Sequence, residues 1–299
     1  MAPNPPRATA AGRAFNDLRN LAKRSGRPTD ELLVLYVLER FLFRVSLSPF
    51  ADRLVLKGGL LLTVLDARRA TRDADLLAMH LDGGEHHVRT WVGEIASIEV
   101  EDGVTFDSEH ARSAPTREGA AYGGVRVTIP SSVGKARVNL ALDVNFGDPV
   151  TPGPMPTQFP QMLGGPPFPL LGYPVETVLA EKLTTALELG DLNTRDRDWA
   201  DVWHLTGAHN LDGNTMVRAL RRTCAHRAVP VRALSEAVLK IPEIRQGAYA
   251  AWRRRQAATE LMYPASMAEV VQAVLAFADP PLLGSAADLT WDAADREWR

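Results

Sequence analysis

The stretch Arg53–Met79, RLVLKGGLLLTVLDARRATRDADLLAM, decides how the rest of the chain is read. Leu54-Val55-Leu56 is a short apolar run ending at Lys57-Gly58-Gly59, the pattern of a buried strand entering a glycine turn. Paired glycines let backbone approach a phosphate closely, and a helix opening there supplies unpaired N–H donors. Leu60 to Leu65 reads as that helix, buried. Asp73-Ala74-Asp75 then precedes Leu76-Leu77, and residues i and i+2 of a strand point to one face, so the two carboxylates converge. Two acids on one strand, beside a turn able to hold a triphosphate, are what Mg²⁺-dependent nucleotidyl or phosphoryl transfer requires. Asp73 and Asp75 are therefore candidate metal ligands.

Taken singly, a Gly-Gly pair is a turn and an Asp-x-Asp a solvated strand end; their order and spacing are what favour a site. The stretch resembles the minimal nucleotidyltransferase core of the DNA polymerase β superfamily, in which a glycine motif opens a helix and an acidic pair follows on the next strand. LVLKGGLLL and the R-D-x-D of TRDADLL are most similar to the AbiEii/AbiGii nucleotidyltransferase toxins. The resemblance implies that Lys57, Gly58, Gly59 and Arg72 meet the nucleotide. One departure stands out: the superfamily usually has Gly-Ser where this chain has Gly59-Leu60, which removes a hydroxyl ligand for phosphate and leaves more to Lys57 and the backbone.

Upstream, residues 1–12 are rich in Pro and Ala and read as a mobile lead-in, and Ala10 to Arg24 reads as a basic helix. A stronger helix begins at Thr29, a plausible N-cap, with Leu33, Val37, Phe41 and Val45 on its apolar stripe. GRPTDELLVLYVLERFLFRVSLSPFADRLVLKGG resembles the lead-in helix of the same toxins. Downstream, Glu85 to Ile95 has helical spacing, while Ile98–Asp107 and Gly124–Ile129 read as strands. A turn at Pro130–Lys135 leads to Arg137–Phe146, whose alternation puts Asp143 on the polar face. Pattern alone leaves an exposed sheet face equally open. The resemblance implies a third carboxylate here, acting as metal ligand or as general base for the incoming hydroxyl.

Residues 151–174 are crowded with Pro and Gly and read as an inter-domain connection unable to hold a central strand. From Val175 the chain reads as helical to its end. VLAEKLTTALELGDLNTRDRDWADVWHL carries a second constellation: Lys182, then Arg195, Asp198 and Asp201, with Trp199, Val202, Trp203 and Thr206 as the buried stripe between flanking acids. The competing reading is a surface ion network. In the toxin family an AEKL helix is followed by an R-x-x-D-x-x-D helix facing the nucleotide, which implies that Lys182 touches the triphosphate while Asp198 or Asp201 orients it. Arg218, Arg221, Arg222, Arg253, Arg254 and Arg255 make the C-terminal region basic, a candidate RNA-phosphate surface.

The composition suits a soluble globular chain: 299 residues, 45% hydrophobic, 23% charged, net charge −2. Of 34 basic residues only five are lysines, so Lys57 and Lys182 are less casual choices than arginine would be. A single cysteine, Cys224, excludes an intramolecular disulfide and a cysteine-based zinc site, and the seven histidines show no metal-ligand spacing. With no apolar stretch near the roughly 20 residues of a membrane span, the chain reads as cytoplasmic and without a membrane partner.

The expectation is an α/β (α+β) fold: a nucleotidyltransferase-like mixed sheet with flanking helices over 1–150, a connection over 151–174, and a helical domain over 175–299 that closes the cleft. The function implied by the resemblance is Mg²⁺-dependent transfer from an NTP by a toxin with a cognate antitoxin; similar proteins, the MenT toxins, modify the tRNA 3′ end. Rival readings are nucleotidylation of a protein or small molecule, and a non-catalytic NTP-binding module, for which the missing Gly-Ser hydroxyl is the argument.

Overall fold

The computed structural model describes residues 8–65, 71–116, 123–256 and 262–299, and shows a mixed α/β chain dividing into two compact units. Unit 1 comprises Met1–Gly147 and Met155–Gly172; unit 2 comprises Asp148–Pro154 and Tyr173–Arg299.

Unit 1 opens with α1 (Ala10–Ser25) and α2 (Thr29–Leu47). Most of the mobile lead-in expected over 1–12 lies outside the described residues, and from Ala10 that stretch is already helix. Pro28, not Thr29, holds the N-cap position of α2, and Thr29 is its first helical residue. Leu33, Val37, Phe41 and Val45 are buried as the apolar stripe requires. The core strands are β1 (Leu54–Lys57), β2 (Ala74–Ala78), β3 (Val104–Phe106), β4 (Arg112–Pro115), β5 (Gly124–Val133), β6 (Ala136–Phe146), β7 (Met155–Phe159) and β8 (Phe168–Gly172), with helices α3 (Gly58–Leu61) and α4 (Glu85–Ala96) between them. They form one mixed sheet ordered β3-β5-β6-β2-β1-β8-β7, with β4 also on β5. β2 runs parallel to β6 and antiparallel to β1, and β1 runs parallel to β8.

Four sequence expectations change here. Of the strand read over Ile98–Asp107 only Val104–Phe106 forms, as β3, and residues 98–103 are turn, bend and irregular chain. The helix after the glycines is one turn, α3, and residues 62–65 are turn. β5 runs through Pro130 to Val133, because Pro130 falls in the gap between the stretch paired with β4 and the stretch paired with β3. The hairpin turn is then only Gly134-Lys135, with Gly134 at φ +60°, the left-handed conformation a tight hairpin turn needs. Most consequentially, the segment read as a connection holds β7 and β8 and completes the sheet. Pro169 is tolerated in an interior strand because β1 pairs only with Leu171 and Gly172 beyond it. Glu39 on α2 fastens the β7–β8 loop: its carboxylate accepts the Met162 N–H at 2.6 Å, and burial pushes its pKa up to about 7.

Unit 2 contains α5 (Val175–Leu189), α6 (Asp196–Ala208), α7 (Gly213–His226), α8 (Ile241–Ile244), α9 (Gln246–Arg254) and α10 (Met267–Leu283). It is not wholly helical: β9 (Leu211–Asp212), β10 (Thr290–Asp292) and β11 (Glu297–Trp298) make a small antiparallel sheet. This is explained by its tryptophans. Trp291 and Trp298 both pack on Phe277 of α10, with ring centroids 4.9 and 5.4 Å away, and Trp291 Nε1 donates to the Thr206 carbonyl. Among the described residues no helix is long and apolar enough to cross a membrane.

Candidate active site

In unit 1 the strand register builds a row of charge across four adjacent strands. Lys57 of β1 is paired with Asp75 of β2, Asp75 with Asp143 of β6, and Asp143 with Arg126 of β5. Cross-strand partners share a face, so these four side chains form one line, cation-acid-acid-cation, on the sheet surface. Asp73 immediately precedes β2 and joins the row through Arg126. Arg126 Nε donates to Asp143 Oδ1 at 2.7 Å, and Nη2 donates to both Asp143 Oδ2 at 2.6 Å and Asp73 Oδ2 at 3.0 Å. These bonds, with Asp143 first and the charges of Asp73 and Asp75 behind, push the Arg126 pKa further up. The Thr71 hydroxyl donates to Asp73 Oδ1 at 3.1 Å and steadies it from the other side.

The glycines let this acid loop close down on the turn. Gly58 has φ +64°, and a Cβ added there would lie 1.9 Å from Asp75 Oδ2. A Cβ on Gly59 would stand 2.9 Å from the Thr71 hydroxyl oxygen. Both positions thus serve the approach of the acids, a role the phosphate-cradle reading of the sequence did not include. Lys57 is buried, and Arg72 is exposed and outside the Arg126 network. Arg126 itself was missed. The signal was present, since Val125, Val127 and Ile129 alternate around it, but a turn placed at Pro130–Lys135 hides the register that pairs it with Asp143.

Among the described residues no group of three His, Cys, Asp or Glu is arranged to hold a metal ion. Asp73 and Asp143 converge, but on a guanidinium nitrogen. Their chemistry nonetheless fits a hard divalent cation: with Asp75 they offer three carboxylates, against the two cations Lys57 and Arg126 in the row.

Unit 2 contains the second constellation as one buried network. Lys182, midway along α5, donates from Nζ to Asp198 Oδ1 at 2.6 Å and to Asp201 Oδ2 at 2.8 Å, both on α6. The side chains of Lys182, Asp198 and Asp201 are 11%, 8% and 3% exposed, which removes the surface-network reading. Arg195, just before α6, reaches the other Asp198 oxygen. Burial works against ionising Asp198, but Lys182 and Arg195 outweigh it and hold its carboxyl below the usual range. The acids do not flank the packed face of α6; they are part of it, with Trp199, Val202, Leu205 and Thr206, while Trp203 is half-buried beneath the Arg296 guanidinium.

The family model described as the nucleotidyl transferase AbiEii toxin of type IV toxin–antitoxin systems matches residues 40–276. The chain belongs to this family. It is a nucleotidyltransferase, and the matched span holds both the acid row and the lysine network. The fold is also that of MenT4, a nucleotidyltransferase toxin from Mycobacterium tuberculosis: 18% identity, 89% of each chain covered, TM-score 0.55. JHP933 from Helicobacter pylori aligns over 75% of this chain and 96% of its own, at 11% identity and TM-score 0.33. No curated protein matches in sequence.

Proposed function

We propose that this AbiEii nucleotidyltransferase moves a nucleotide from an NTP to RNA, at the tRNA 3′ acceptor end, with Mg²⁺ held by Asp73, Asp75 and Asp143. The toxin acts in the cytoplasm and is neutralised by a cognate antitoxin. The observation that carries the transfer chemistry is the row Lys57-Asp75-Asp143-Arg126 with Asp73 beside it. When bound, the divalent ion offsets charge on the phosphoryl oxygens and lowers the pKa of the acceptor hydroxyl.

The chain's own residues do the rest. Lys57 and the backbone of Gly58 and Gly59 hold phosphate oxygens, with Arg72 as a further nucleotide contact. Asp143, fixed mid-strand, accepts the hydroxyl proton as the acceptor oxygen bonds to the α-phosphorus and pyrophosphate leaves. The family resemblance supports Lys182, oriented by Asp198 and Asp201, as a compact ammonium for phosphate.

Exposed arginines in unit 2 support an RNA acceptor, but not all of those named in the sequence are equally available. Arg253 is half-buried and donates to the Tyr263 carbonyl, and Arg222, although exposed, is tied to Val150 and Thr151; Arg221, Arg254 and Arg255 are also exposed. The test is incubation with each labelled NTP and total tRNA, resolved on a gel. Label in a tRNA band is the expected result; label only in protein or small molecules would replace the RNA acceptor. Reversing charge at Arg221, Arg254 and Arg255 should lower the slope of log K against log salt for tRNA by about 0.7–0.9 per lost phosphate contact.

A further inference from the structure

Arg126 belongs to none of the motifs that carry the family resemblance, yet its guanidinium sits where the site's two outer carboxylates meet. One nitrogen, Nη2, lies 2.6 Å from Asp143 Oδ2 and 3.0 Å from Asp73 Oδ2. Nη2 occupies the position between these two oxygens that a divalent ion chelated by both would take, so the guanidinium has to move for such an ion to bind. Arginine does not lose its proton in proteins, so it leaves only by displacement. The exposures favour this: the Arg126 side chain is 49% exposed and Asp143 18%, so the guanidinium has solvent to move into while the carboxylate stays on its strand.

Resting on the metal-dependent reading above, we propose that Arg126 is a positioning residue that competes with the divalent cation for Asp73 and Asp143. It keeps two like charges together and in place, and it sets the metal concentration at which they are taken over. A plain cross-strand ion pair would have no such effect. Its loss would leave metal affinity unchanged, or lower it by disordering Asp143.

The experiment is calorimetric titration of the full chain with Mn²⁺, without nucleotide, for wild type, Arg126→Gln and Arg126→Lys. Competition is expected to make Arg126→Gln bind Mn²⁺ at least about tenfold more tightly, the scale of one charge-assisted hydrogen bond. Arg126→Lys keeps the charge but loses the fork that spans both acids, and it should gain less; it carries the test alone if the glutamine variant does not fold. Unchanged or weaker Mn²⁺ binding in the variants, with wild-type binding intact, overturns the proposal and leaves the transfer reading standing. Absence of Mn²⁺ binding in all three proteins overturns the metal-dependent reading together with the proposal.

Discussion

Asp143 and Asp198 are both aspartates bonded to an arginine, but their surroundings differ in a way that separates two kinds of site. Asp143 stands on an open sheet face, and its partner Arg126 is half-exposed and shared with Asp73. Asp198 is enclosed between α5 and α6, with Lys182 and Arg195 matching the charges of Asp198 and Asp201 one for one. The unit 1 row instead sets three carboxylates against two cations. A balanced, buried network keeps one arrangement and presents its lysine in a fixed pose. An unbalanced, accessible one is suited to exchanging cations.

Substituting the buried cation should have the largest effect on folding. Lys182→Ala leaves two carboxylates buried without their ammonium, and a loss of about 3–5 kcal/mol is expected in urea unfolding. Lys240→Ala, at an exposed lysine, should stay within about 0.5 kcal/mol. Similar values for the two would erase the contrast between the regions.

Gly58→Ala sharpens the unit 1 side. The added methyl meets both a left-handed backbone and the Asp75 carboxylate, so a cost of about 1–3 kcal/mol is expected, with transfer falling further than stability as Asp75 is displaced. Gly247→Ala, where a Cβ would meet nothing within 4 Å and the residue lies in α9, should be neutral or gain up to about 1 kcal/mol.

Acid unfolding reads the buried network by its sign. Asp198 has its pKa lowered by folding, so its contribution is present above the ordinary carboxylate value, about 4, and is lost as pH falls through the lower folded value. Asp198→Asn should flatten that limb of the stability curve, measured as the urea midpoint between pH 6 and pH 3. Arg195→Ala should have the smallest effect, under about 1 kcal/mol, because that side chain is 52% exposed and the pair is screened by solvent.

Much of this was legible before the fold was seen. The alternation of β6 placed Asp143, the Lys57-Gly58-Gly59 turn marked the end of β1, and the Lys182, Arg195, Asp198, Asp201 pattern singled out the residues that meet in unit 2, although Asp198 and Asp201 belong to the packed face of α6 and do not flank it. Arg126 was not legible, because its partner depends on a two-residue turn at Gly134-Lys135 that Pro130 disguises. β7 and β8 were hidden for a related reason. Proline argues against a strand only where a ladder hydrogen bond is needed, and Pro169 lies beyond the pairing with β1. The exposure of an acid is also not readable from spacing: the same i, i+3 pattern serves a surface network or the buried one found here.

The proposed transfer chemistry rests on the acid row in unit 1. Its most direct test compares wild type with Asp75→Asn and Asp143→Asn for transfer of labelled nucleotide from NTP in Mg²⁺, with circular dichroism melting of each protein alongside. Wild type is expected to transfer, and both variants to lose at least about a hundredfold from the loss of a positioned carboxylate alone, with their melting temperatures preserved. Wild-type turnover in either folded variant would contradict this role of the acid row.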